Sequence, residues 1–105
     1  VGSFPDDLAQ CTGFQWDAGN SEKNWDLHRV ARAEAEEIFF NRPIVVAPDL
    51  GDSYQEPRFA AMGRTNGGRC LVVIFAMRGT LVRVISARDA NRRERRVYEQ
   101  ASAKG

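Results

Sequence analysis

Between the turn signals Asn66-Gly67 and Gly79 lies an apolar run, Cys70-Leu71-Val72-Val73-Ile74-Phe75-Ala76-Met77. It is far short of the roughly 18 apolar residues of a membrane span. Its β-branched and aromatic content predicts a strand over residues 69–77, at the centre of a sheet covered on both faces. The neighbouring segments fit that centre. Residues 58–64 alternate Arg58, Ala60, Met62 and Arg64 with Phe59, Ala61 and Gly63, and Asn66-Gly67 is a strong hairpin signal because glycine tolerates positive φ. Arg78-Gly79-Thr80 turns the chain again, into a strand over 81–87. A short apolar strand over 44–47, followed by a loop over 48–53, completes a four-stranded antiparallel meander.

Two helices precede this sheet. Asn20 as N-cap and Glu22 in the first turn predict a helix over 21–28, with Trp25 and His28 on one face. The next covers 31–40, with Ala35, Ile38 and Phe39 as its apolar stripe, and Asn41-Arg42-Pro43 ends it because the residue before a proline disfavours the helical region. A last helix starts near Arg92, where Asn91 and Glu94 have capping-box spacing, and Val97 is its expected core contact. The fold class is therefore α+β: two N-terminal helices, a four-stranded antiparallel sheet and a C-terminal helix, in a single domain over 14–105. Residues 1–13 read as a flexible leader without a secretory signal. Cys11 and Cys70 lack metal-ligand spacing, Cys70 reads as a small buried hydrophobe, and both suit a reducing cytoplasm.

The net charge of the 105 residues is only +1, but it is divided along the chain. Residues 1–57 hold four basic side chains against eleven acidic, and residues 58–105 hold eleven against three, so a −7 half precedes a +8 half. Thirteen of the fifteen basic residues are arginine, whose planar fork fits phosphate or carboxylate in two-point contacts. Composition leaves two uses open for the second half: an anionic partner, or a solvated face paired with the acidic half.

His28 is the only histidine. Its ordinary pKa suits proton transfer, although a lone histidine beside a tryptophan on a helix is more often structural. Glu56 stands two residues from Arg58, on the same side of an extended segment, which fits a carboxylate base beside a phosphate-binding arginine and equally an ordinary ion pair. In the last strand, period two puts Leu81, Arg83 and Ile85 on one side and Val82, Val84 and Ser86 on the other. Arg83 interrupts an apolar face there, and must be paired or open onto a solvated groove. Arg88 lies where that strand gives way to the last helix, a place where function is common. Arg64 shares a strand face with Arg58. Arg92, Arg93, Arg95 and Arg96 read as a solvated or partner-binding helix face. No P-loop, dinucleotide fingerprint, zinc spacing or nucleophile elbow occurs, so the candidate chemistry is arginine-assisted and uses no metal or cofactor.

The chain also resembles a known family in several blocks taken in order. These are Phe14-Gln15-Trp16-Asp17, Glu22-Lys23-Asn24-Trp25 with His28, the segment from Ala33 to Pro43, Glu56-Pro57-Arg58-Phe59, Gly63-Arg64, Gly68-Arg69, the segment from Arg83 to Asp89, and Arg92-Arg93-Glu94-Arg95-Arg96-Val97-Tyr98-Glu99. Together they are similar to the BrnT ribonuclease toxins over about residues 14–99. The resemblance implies a type II toxin with a RelE-like fold that cleaves RNA and blocks translation in the cytoplasm. It implies as partner a BrnA-like ribbon-helix-helix antitoxin, in a complex of two toxins with two antitoxins that binds operator DNA through the antitoxin. On this reading His28, Glu56, Arg58, Arg83 and Arg88 form the catalytic set, and Lys23 and Arg64 hold RNA phosphates. The alternative is a catalytically impaired homologue that serves as antitoxin partner or corepressor. Leu27 and Arg29 stand where the family commonly has Lys and Gly, Ala31 where a Ser or Thr would complete a capping box with Glu34, and Asp52 where many relatives have His.

Overall fold

The computed structural model describes residues 12–49 and 56–104. In chain order it contains β1 (Gly13–Trp16), α1 (Ala18–His28), α2 (Arg32–Phe40), β2 (Val45–Asp49), β3 (Arg58–Arg64), β4 (Cys70–Arg78), β5 (Leu81–Asp89) and α3 (Arg92–Lys104). The strands form one sheet in the order β1-β5-β4-β3-β2. The apolar run is its central strand, and β2 to β5 make the expected antiparallel meander.

The sheet is nevertheless five-stranded and mixed, which corrects the four-stranded antiparallel expectation. Strand β1 pairs in parallel with β5, Phe14 beside Val82 and Trp16 beside Val84. Four residues have little β preference of their own, and tertiary contacts hold them. Phe14 packs edge-on against Phe39 with ring centres 5.6 Å apart. Trp16 donates its Nε1–H to Glu36 at 2.7 Å, and Thr12 donates its backbone N–H to the Thr80 carbonyl at 2.8 Å. Thr12 and Gly13 thus belong to the fold, whereas residues 1–11 of the expected leader lie outside the described residues. Strand β2 runs through Pro48 to Asp49, where a loop was expected; proline is tolerated because β2 is an edge strand. Residues 50–53 of that loop lie outside the described residues.

Helix α1 starts earlier than the Asn20 cap predicts, because Asp17 caps it instead. Asp17 Oδ1 accepts from the backbone N–H groups of Gly19 at 2.8 Å and Asn20 at 3.4 Å. The helix ends on Arg29, which sits in the left-handed region at φ 53° with its guanidinium over the Trp25 ring. At the start of α2, Glu34 returns Oε1 to the Ala31 N–H at 3.1 Å. Alanine has no side-chain oxygen to complete the reciprocal bond, so only half of the box forms. Buried Asn24 caps the edge of β5 beyond the end of β1, its Oδ1 accepting the Ala87 N–H at 3.2 Å.

Helices α1 and α2 cover one sheet face, burying Val30, Ala35 and Ile38 against Ala61, Leu71, Val73, Phe75, Val82 and Val84. Gly63 lets α2 approach, since a Cβ there would lie 3.0 Å from Ile38 Cβ and 3.2 Å from its carbonyl oxygen. Among the described residues the other face is covered only in part, by α3. Its core residue is Tyr98 rather than the expected Val97: Tyr98 is buried and donates its hydroxyl to the Pro43 carbonyl at 2.7 Å, while Val97 is 49% exposed. A bulge also changes the parity of β5. Ile74 pairs with Ser86 and Phe75 with Val84, leaving Ile85 as the extra residue. Ser86, expected beside Val82 and Val84, therefore joins Arg83 and Arg88 on the α3 face.

Chemical denaturation tests both helix contacts. Completing the cap with Ala31→Ser raises stability by about 1 kcal/mol, and Gly63→Ala lowers it by ~1–3 kcal/mol. A Gly63→Ala protein as stable as the parent would contradict the close approach of α2.

Candidate active site

Helix α3 shelters the end of its sheet face that carries Cys70 and Val72. At the opposite end the same face carries a polar row. Asp49 on β2 lies opposite Arg58 on β3, Ala76 on β4 lies opposite Arg83 on β5, and Gln15 on β1 lies beside Arg83. Because Phe59 faces Phe75, Arg58 and Arg83 come up on either side of Ala76. Strands stand about 4.8 Å apart, so the two arginine backbones are roughly 10 Å apart. Two long side chains can close that span onto one phosphate. Ala76 is the small, fully covered floor between them.

Glu56, just ahead of β3, reaches across this row. Its Oε1 accepts from Arg78 Nη2 at 3.0 Å and lies 4.0 Å from Arg83 Nη1. Arg83, expected to be either paired or open onto solvent, is both: it has a carboxylate beside it and is partly exposed. The structure brings three of the expected site residues, Glu56, Arg58 and Arg83, to one end of one face, and adds Arg78. Arg78 is read from sequence as a turn residue. Its signal was present, because period two from Ile74 through Ala76 carries it to the same face. Gln15 has no such signal, since β1 is not legible as a strand.

The remaining expected residues lie elsewhere. Arg88 shares the face but is engaged by Glu94 in a two-point pair, with Nη1 and Nη2 each 2.7 Å from a carboxylate oxygen. Glu94 also accepts from the Asn91 N–H at 2.9 Å while Asn91 Oδ1 accepts from the Glu94 N–H at 2.8 Å, the expected capping box. Arg64 ends β3 beside α3, over the Tyr98 ring and 3.8 Å from Glu99. Lys23 is exposed on α1. His28 ends α1 near Arg69 and Asp89, at the other end of the strands from Glu56, and its carbonyl accepts from Arg69 Nη2 at 2.9 Å.

Arg69 is a contact that the sequence alone did not single out. Its Nε and Nη2 donate to Asp89 at 2.6 and 2.9 Å, and its Nη1 donates to the Arg29 carbonyl at 2.8 Å and to Glu34 at 3.2 Å. Hydrogen bonds from Arg69 hold the Asp89 carboxyl below the usual carboxylate range, and those from Arg88 do the same for Glu94. Burial pushes the Cys70 thiol up, away from the reactive thiolate. Both carboxyls are lowered on folding. The stability they add is therefore complete above the ordinary carboxylate range of about pH 4 and is lost as pH falls through their lowered values. Acid titration of unfolding should show this loss in the parent, and Glu94→Gln should flatten it; an identical acid limb in the variant would contradict the pairing.

Among the described residues, no three His, Cys, Asp or Glu side chains gather as a metal site, and no helix is long and apolar enough to cross a membrane. The family model of the ribonuclease toxin BrnT, of type II toxin-antitoxin systems, matches residues 16–94. Among solved structures, the crystal structure of the Brucella abortus ribonuclease toxin BrnT is similar with a TM-score of 0.53 at 24% identity, covering 76% of this chain and 97% of that one. That likeness supports an α+β fold similar to BrnT, and it supports no RelE-like assignment. No curated protein sequence matches the chain.

Proposed function

This chain belongs to the BrnT family of ribonuclease toxins of type II toxin-antitoxin systems, and on that premise we propose that it cuts RNA at the open end of its sheet without a metal ion. The observation that carries the reading is the gathering of Glu56, Arg58, Arg78 and Arg83 around the Ala76 floor. Two carboxylates, Glu56 and Asp49, among three guanidinium groups suit a phosphate bound by arginine and a proton taken by Glu56. Carboxylates so crowded by guanidinium groups make a poor donor set for a divalent cation, which prefers several oxygen ligands.

In the proposed reaction the ribose 2′-oxygen attacks the adjacent phosphorus while Glu56 takes its proton. The bond to the 5′-oxygen breaks, leaving a 2′,3′-cyclic phosphate, and the departing oxygen takes a proton from solvent. Negative charge grows on the phosphorane oxygens, where Arg58 and Arg83 are placed to stabilise it. Incoming phosphate competes for Arg78 and Arg83 and so releases Glu56 from its ion pairs. His28 lies beside Arg69 and Asp89, and Arg88 is taken up by Glu94, so the bond-breaking step is assigned to Glu56, Arg58 and Arg83. Lys23 and Arg64 are left as contacts for RNA phosphates beyond the site.

A type II toxin has an antitoxin partner. For this chain we assign a ribbon-helix-helix protein of the BrnA kind, two copies with two toxins, bound to operator DNA through the antitoxin. The released toxin would block translation in the cytoplasm by cutting RNA.

Single-turnover cleavage of single-stranded RNA by purified protein tests the site. Arg83→Ala should slow cleavage on the order of 100-fold, about 3 kcal/mol in the barrier by analogy with loss of one oxyanion donor, with thermal unfolding confirming a folded variant. Cleavage at the parental rate by folded Arg83→Ala would overturn the assignment. RNA binding without cleavage by the parent would instead place the chain with the catalytically impaired homologues.

A further inference from the structure

Between α3 and the partly covered sheet face runs a groove of about 250 Å³, walled by Ala60, Met62, Val72 and Val97 and rimmed by Arg93 and Glu94. Its floor continues the strand face that carries Arg58, because Ala60 and Met62 follow Arg58 with period two. Ala60 stands roughly 7 Å along β3 from Arg58, about one nucleotide step of an extended strand. The groove is therefore the next station along the face from the proposed cleavage site.

Its charged rim residues are Arg93 and Glu94, and Arg92 and Arg96 stand beside them on α3. Arg92, Arg93 and Arg96 make no side-chain hydrogen bond or ion pair among the described residues, and all three are exposed. Glu94 is the nearby acid, but both of its oxygens are occupied by Arg88. These arginines also crowd the first turns of α3, where the helix dipole disfavours cations. Asn91 and Glu94 offset that placement locally. An anionic partner seated along the groove would remove the penalty. The volume lies below that of drug-sized pockets and suits one planar ring, with Met62 sulfur and Val97 methyls against its faces.

We propose that this groove is a subsite for the base of a nucleotide next to the scissile phosphate, with Arg93 on that nucleotide's phosphate. The inference rests on the RNA-cleavage reading for its register, but it concerns binding and is tested apart from cleavage. The occupant is single-stranded RNA, since the groove joins an apolar slot for a base to arginines for the backbone.

The test is fluorescence anisotropy with the full chain and a short 2′-O-methylated RNA, which lacks the attacking hydroxyl. It is compared with the same backbone carrying abasic residues. The parent should bind the base-bearing strand roughly tenfold more tightly than the abasic one. Val97→Glu, at a half-exposed position, should abolish that discrimination, whereas Leu27→Glu, at an exposed position on α1 across the sheet, should retain it. Arg93→Ala should weaken both strands alike and reduce the salt dependence. Equal affinity of the parent for the two strands, no binding at all, or discrimination that survives Val97→Glu would overturn the subsite. So would an Arg93→Ala variant that loses affinity for an antitoxin but none for RNA. Discrimination by a parent that fails to cut unmodified RNA would leave the subsite standing and remove the cleavage reading; cutting without discrimination would do the reverse.

Discussion

Arg69 joins the parts of this fold that local sequence cannot join. It leaves the first hairpin at the threshold of β4, and all five of its N–H groups are used: on Asp89 at the end of β5, on Glu34 in the first turn of α2, and on the carbonyls of His28 and Arg29 at the end of α1. Those carbonyls are among the acceptors that a helix end leaves unsatisfied. Arg29 holds a left-handed conformation that L residues other than Asn and Asp seldom adopt. A glycine would take that conformation more easily, and the Arg69 contact is part of what holds arginine there. The same guanidinium therefore fixes the turn between α1 and α2 and the direction from which both helices descend on the sheet.

Once α1 and α2 are fixed on one face, a single helix among the described residues covers the other. Helix α3 is held by the Arg88–Glu94 pair and by Tyr98, and it reaches only part of the sheet. The uncovered end is where arginines can stand on a strand without the cost of burying an unpaired charge. The division of charge along the chain follows from this layout. The acidic half supplies α1, α2 and the carboxylates Glu34 and Glu56 that pair with arginines, and the basic half supplies the central strands and the exposed rim of α3.

Much of this is legible in the sequence. The apolar run marked the central strand, the two glycine turns marked its hairpins, and Arg83 stood out because it broke an apolar face. Period two grouped Arg58, Arg64, Ala60 and Met62 correctly, although only the structure shows that Arg58 and Arg64 serve opposite ends of that face. What was not legible depends on partners far away in sequence. Strand β1 exists because Phe14 and Trp16 meet Phe39 and Glu36. The parity of Ser86 depends on a bulge set by pairing, and Tyr98 displaces Val97 from the core because its hydroxyl finds the Pro43 carbonyl. His28 shows the same limit: spacing placed it beside Trp25, but nothing in spacing could place it at the far end of the strands from Glu56.

The central claim is that guanidinium groups and one carboxylate, without a metal ion, direct the 2′-oxygen of RNA at the neighbouring phosphate. Its most direct test is the chemistry of the product ends after the purified toxin, freed of antitoxin, meets single-stranded RNA in the presence of a chelator. Mass spectrometry of the fragments should find 2′,3′-cyclic phosphate and 5′-hydroxyl ends. Fragments with 3′-hydroxyl and 5′-phosphate ends, or cleavage that appears only on adding a divalent metal, would contradict the account.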